Sequence, residues 1–127
     1  MKTRVHIEMA FCRTYRDHPG FSLTLDCKTP ARKLIYTTFV FDPDAPRSSP
    51  HFQKWGLLQL MARAYDVQLP ANLTDAGWLI GKFYLFEFEE WKDQWLIRRF
   101  KRCEPFKGPD IEAMNRAMEE LFSGKIF

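Results

Sequence analysis

Residues 79–103, LIGKFYLFEFEEWKDQWLIRRFKRC, decide how this chain folds. The stretch reads as two β-rich runs joined by a short polar turn, Lys92-Asp93. The first run is dense in Phe, Tyr and Leu, and the second carries Arg98, Arg99, Lys101 and Arg102. Trp91 and Trp95 flank the turn. Aromatic rings beside cations on a strand pair can stack on bases and hold a phosphate backbone. The same residues also suit a core face plus ion pairs from Glu87, Glu89 and Glu90 to the basic return strand. By alternation, Arg99 and Lys101 share one face of that strand, opposite Arg98 and Arg102.

Upstream, the period-two pattern recurs. In residues 4–15, Val5, Ile7, Met9 and Phe11 fall on one side, and Arg4, His6, Glu8, Ala10 and Cys12 on the other. A turn at His18-Pro19-Gly20 leads to a second alternating run, with Phe21, Leu23 and Leu25 on one face. Residues 33–41, KLIYTTFVF, are β-branched and aromatic and predict a third strand. After a proline-rich loop, Ser48 or Ser49 can cap a helix that has Pro50 in its first turn and runs to about Asp66. Trp55, Leu58, Met61, Ala62 and Tyr65 form its apolar stripe, which Leu57, Leu60 and Ala64 widen. Ile111, Met114, Met118, Leu121 and Phe122 predict an amphipathic helix near the end of the chain.

Three strands, a helix, two strands and a helix give a mainly β, α+β class. An OB-like small barrel of five strands, with its helix between strands 3 and 4, fits this order over residues 1–105. Residues 106–127 are then a C-terminal helix packed on the same domain. A plain α+β sheet with both helices on one face fits it too.

The chain has 127 residues and 16% aromatic content, enough for one domain with a real core rather than a disordered chain. Net charge is only +3, which argues against a bulk polycation. Cys12, Cys27 and Cys103 make an odd count without CxxC spacing, as expected in a reducing, cytoplasmic setting. No apolar run is long enough to span a membrane. His6, His18 and His51 are scattered without metal spacing, and Asp42 and Asp44 read as turn formers. No phosphate loop or nucleophile elbow is present, so the expectation is a non-enzymatic protein without metal or cofactor.

The strand RKLIYTTFVFDP, the helix WGLLQLMARAYDV and the segment LIGKFYLFEFE with its basic return strand resemble a family of phage-encoded domains related to single-stranded DNA-binding proteins. Leu79, Gly81 and Lys82 stand where that family has a Leu-x-Gly-Lys step before a strand. The resemblance covers residues 20–105. It implies an OB-like fold and single-strand binding in phage replication or recombination, hence the host cytoplasm. The tryptophan-bearing hairpin and the added C-terminal helix depart from the family pattern. Phe127 ends the chain as in bacterial single-strand binders, but Gly124-Lys125-Ile126 before it is not acidic.

In an OB-like barrel the ligand face lies on strands 2 and 3 and on the loops joining strands 1–2 and 4–5. The candidate nucleic-acid-binding residues are Arg13, Tyr15 and Arg16; Arg32, Lys33 and Tyr36; Trp91, Lys92, Trp95, Arg99 and Lys101 at the hairpin; and Lys82, which the resemblance adds. The expected partner is single-stranded DNA or RNA. The alternative is a small protein-binding inhibitor or adaptor, anti-CRISPR-like, whose C-terminal helix pairs with a second copy or another protein.

Overall fold

The structure, a computed structural model, describes residues 1–14 and 17–106. The expected C-terminal helix, with Tyr15 and Arg16, lies outside the described residues. Five strands form one antiparallel sheet: β1 (Lys2–Thr14), β2 (Phe21–Lys28), β3 (Leu34–Phe41), β4 (Phe83–Trp91) and β5 (Gln94–Arg102), in the order β3-β2-β1-β4-β5. A single α-helix, α1 (Pro50–Arg63), and a 3₁₀ turn at Gly77–Leu79 stand between β3 and β4 among the described residues.

Local chemistry explains each boundary. Ser49 is the helix cap, and its Oγ accepts from the His51 N–H at 3.2 Å. At the other end Asp66 adopts φ 54°, and the Val67 N–H reaches the Ala62 carbonyl at 2.9 Å. That left-handed closure ends the helix before the expected Asp66. In the β4–β5 hairpin, Lys92 and Asp93 both have positive φ, 48° and 61°, the geometry that matches the twist of a two-residue hairpin loop.

β1 holds the sheet together by changing partners. It pairs with β4 through Lys2–His6 and with β2 from His6 to Thr14. At the hand-over, the Gly81 N–H donates to the Ile7 carbonyl at 2.8 Å and the Ile7 N–H to the Lys82 carbonyl at 3.0 Å. Glu8 is then an extra residue in the ladder with β2, a bulge that bends the strand. The bulge also corrects the expected facing of β1. Val5 and Ile7 are buried, but beyond Glu8 the small Ala10 and Cys12 turn inward while Met9 and Phe11 turn out to solvent.

The core lies between the inner sheet face and α1. Leu23, Leu25, Ile35, Phe39, Tyr84, Phe86 and Ile97 pack with Leu58, Met61 and Leu79. Trp55 stacks on Phe41 at 5.7 Å, and the Tyr84 hydroxyl donates to the Met61 carbonyl at 2.8 Å. Leu60 leaves the expected apolar stripe and is 52% exposed, because α1 meets the sheet along one side only.

The expected closed barrel is not formed, because no hydrogen-bonded ladder joins β3 to β5. The sheet nonetheless curls until these two edges approach each other, and α1 touches both. Lys54 bridges the gap from α1. Its ammonium lies 6.0 Å from the centre of the Phe39 ring on β3 and donates to the Ile97 carbonyl on β5 at 2.7 Å. Burial there lowers the Lys54 pKa, and Glu89 partly opposes the shift.

Candidate nucleic-acid interface

Antiparallel pairing places residues side by side in rows across the outer face of the sheet. One row is Phe11–Thr24–Thr38 and the next is Met9–Asp26–Tyr36; Lys28 and Leu34 begin a third. Phe11 is 57% exposed and Tyr36 is 58% exposed, so two large rings stand in solvent on the face opposite the core. Met9 and Leu34 are exposed beside them. Thr24 and Thr38 share a hydroxyl hydrogen bond of 3.0 Å between the strands. Arg13 follows Phe11 on the same face, in the row of Ser22 and Val40.

Tyr36 also borders a cleft between the start of β3 and the hairpin tip. Lys33, Tyr36, Thr38, Asp93, Gln94 and Trp95 are among the residues that line it, and its volume is about 400 Å³. Trp95 is half-buried because its inner edge rests on Phe88, with ring centres 6.4 Å apart. Trp91 lies on the outer side of the tip, 54% exposed, with the Lys92 ammonium 4.5 Å from its ring centre. The curl of the sheet therefore brings Lys33 and Tyr36 to Trp95, although about sixty residues separate them in sequence.

Other predicted positions fall elsewhere. Lys82 sits at the opposite end of the hairpin, with its ammonium 5.5 Å from the Tyr65 ring centre. There the Arg102 guanidinium lies 4.2 Å over the same ring and donates to the Ala64 carbonyl at 3.2 Å. Lys82 thus stands apart from the cleft, because its backbone joins β1 to β4. Arg32 occupies the β2–β3 turn at φ 62° and borders a different opening. Arg99 and Lys101 do share the outer face of β5, in rows with Glu87 and Lys2 and with Leu85 and Arg4. Arg98 is the extra residue of a second bulge, which removes it from the face expected for it beside Arg102. Its exposed pair with Glu89, at 4.0 Å, is the one ion pair between β4 and β5 among the described residues, so the expected ladder is absent.

The remaining chemistry is quiet. Burial raises the thiols of Cys12 to about 11 and Cys27 to about 12, the latter helped by the Asp26 charge, which makes both poor nucleophiles. Asp42 accepts the Asp44 N–H at 2.9 Å, a turn-forming contact. Among the described residues, no group of three His, Cys, Asp or Glu side chains is placed to hold a metal ion. No described helix is long and apolar enough to cross a membrane.

Sequence reasoning missed Phe11 and Met9 as surface residues. The signal was present but ambiguous: residues 9–12 are apolar on both alternations, so period two cannot say which side is buried. No protein-family model and no curated protein matches the chain.

Proposed function

We propose that this protein is a non-enzymatic single-stranded nucleic-acid-binding protein built on a partly open, OB-like barrel, with DNA the first candidate ligand. The single observation that carries the reading is the pair of exposed rings on the outer face, Phe11 and Tyr36, with Tyr36 opening onto the cleft that the half-buried Trp95 lines from the hairpin. Bases of any sequence can stack on such rings, and each stack contributes roughly 1–3 kcal/mol. Arg13 on the face of Phe11, Lys33 in the cleft and Lys92 at the hairpin tip supply cations, and Arg99 and Lys101 add charge on the outer face of β5. The strand order, the helix between β3 and β4 and the near approach of β3 to β5 support the barrel type, whose ligands lie on strands 2 and 3 and the 4–5 loop. A place in phage replication or recombination is the role that the sequence resemblance suggests.

The second reading is a protein-binding inhibitor or adaptor. It is favoured by Met9 and Leu34, which widen the exposed surface with aliphatic groups that bases do not require. Titration with a labelled dT oligonucleotide at low and high salt separates the two. Binding that weakens with salt supports strand binding, because phosphate contacts release counterions. Failure to bind even at low salt moves the assignment to a protein partner.

A further inference from the structure

A second opening of about 420 Å³ lies on the same outer face, beyond the bulge, and its chemistry differs from that of the cleft. His6, Glu8, Lys28, Arg32, Phe83 and Phe106 line it. Phe106 folds back onto Phe83 edge-to-face, with ring centres 5.0 Å apart and planes at 77°. The His6 ring also leans on Phe83, with ring centres 4.6 Å apart. Glu8, the bulge residue, turns its carboxylate into this group. Its Oε1 accepts from His6 Nδ1 at 3.0 Å and lies 4.0 Å from Lys28 Nζ. Oε2 makes no hydrogen bond to the described residues and remains for a ligand.

Three kinds of group converge here: an aromatic wall, a carboxylate acceptor, and cations at the β2–β3 turn. A bare anion would be opposed by Glu8, and a bare cation by Lys28 and Arg32. A purely apolar ligand would have to desolvate all three charges without replacing their partners. A nucleotide carries the complement of each: a ring, N–H donors and a phosphate.

We propose that this opening is a nucleotide pocket with a preference for bases bearing an exocyclic amino group. The base packs on Phe83 and Phe106, its amino group donates to Glu8, and its phosphate meets Lys28 and Arg32. Cytosine offers such an amino donor to a carboxylate where thymine presents only a carbonyl oxygen. The pocket deepens the strand-binding reading and, for a nucleotide within a strand, rests on it. The row Leu34–Lys28–His6–Phe83 joins it to the exposed rings, so a strand leaving Tyr36 reaches it without leaving the sheet.

The test compares dC and dT oligonucleotides of equal length, and free dCMP, on the full chain. Wild type should favour dC roughly tenfold, the discrimination that one hydrogen bond to a charged group supplies. Glu8→Ala should bring the two oligonucleotides to parity. Glu8→Gln, whose amide accepts from a cytosine amino group or donates to the thymine carbonyl, should likewise remove most of the preference if alanine disturbs the bulge, with melting curves as the check on folding. Phe106→Ala should weaken dC several-fold. Equal wild-type affinity for dC and dT, or a preference that survives both Glu8 variants, overturns the pocket and leaves strand binding standing. Absence of oligonucleotide binding together with dCMP binding that Phe106→Ala abolishes overturns the strand reading and keeps the pocket. Binding of neither ligand overturns both.

Discussion

The two halves of β1 obey the same alternation and end in opposite environments. Before Glu8, the alternate apolar residues Val5 and Ile7 have no exposed surface; after it, Met9 and Phe11 stand in solvent. One inserted residue separates them. The first half pairs with β4 and meets β2 only at His6 and Ile7, and its inward residues belong to the core. The second half has lost β4, pairs only with β2, and presents its large side chains outward. A strand that must bend to curl its sheet uses a bulge to do so, and the bulge re-aims every side chain that follows. Here the re-aimed side chains include a ring of the candidate interface, so the device that curls the fold also builds the surface proposed to bind.

The largest expected effect tests that contrast directly. Ile7→Ala should cost roughly 2–5 kcal/mol of stability, as should Leu58→Ala on the facing helix, because both remove fully packed side chains. Met9→Ala, two residues further along the same strand, should cost less than about 1 kcal/mol. Denaturant unfolding measures both, and equal losses at Ile7 and Met9 would break the comparison.

Alkaline pH sharpens it from the inner face. Burial holds Cys27 at about 12 and Cys12 at about 11. Unfolded thiols ionise near ~8.5, so above that pH the unfolded chain releases protons that the folded chain keeps. Stability should therefore fall as pH rises from 9 toward 11. Lys54 acts in the opposite sense, since its folded pKa is lowered and the unfolded chain holds the proton longer. Unfolding midpoints of wild type and Cys27→Ala across this range check the balance, and the variant should show a shallower decline.

At the hairpin, Trp95→Ala should weaken oligonucleotide binding by roughly 1–3 kcal/mol with little change in salt dependence. Arg99→Ala should instead make the salt slope shallower by about one phosphate contact. Titrations at several salt concentrations distinguish a stacking loss from a charge loss. The smallest effect belongs to Arg98→Ala. Its 4.0 Å pair with Glu89 joins two side chains more than half exposed, and such pairs contribute about 0–1 kcal/mol. A thermal melt should barely register the change.

Much of the fold could be read from the chain because its signals are local. Alternation marks β2, β3 and β4, the serine-proline start marks α1, and the polar pair Lys92-Asp93 marks the hairpin turn. The bulges were harder to read. At Glu8 the alternation of apolar residues runs on without interruption, and only pairing to β2 and β4 shows that the strand changes partners. At β5 the adjacent cations Arg98 and Arg99 are both exposed, a trace of the second bulge that a strict period-two reading passes over. The cleft was partly legible. Lys33, Tyr36 and Trp95 were each identifiable as cation or aromatic near a strand end, but their meeting depends on the curl of the whole sheet. Lys82 misled for the opposite reason, since its position beside a strand start says nothing of which end of the hairpin faces the cleft.

Whether the outward rings of the curled sheet bind a single strand is decided by the Phe11→Ala, Tyr36→Ala double variant. The measurement is dT oligonucleotide affinity, with the thermal melt recorded on the same samples. The double variant should lose roughly 2–6 kcal/mol of affinity, two stacking contacts, and keep a melting temperature close to that of wild type. Wild-type affinity in the double variant, with the fold intact, would contradict strand binding by these rings.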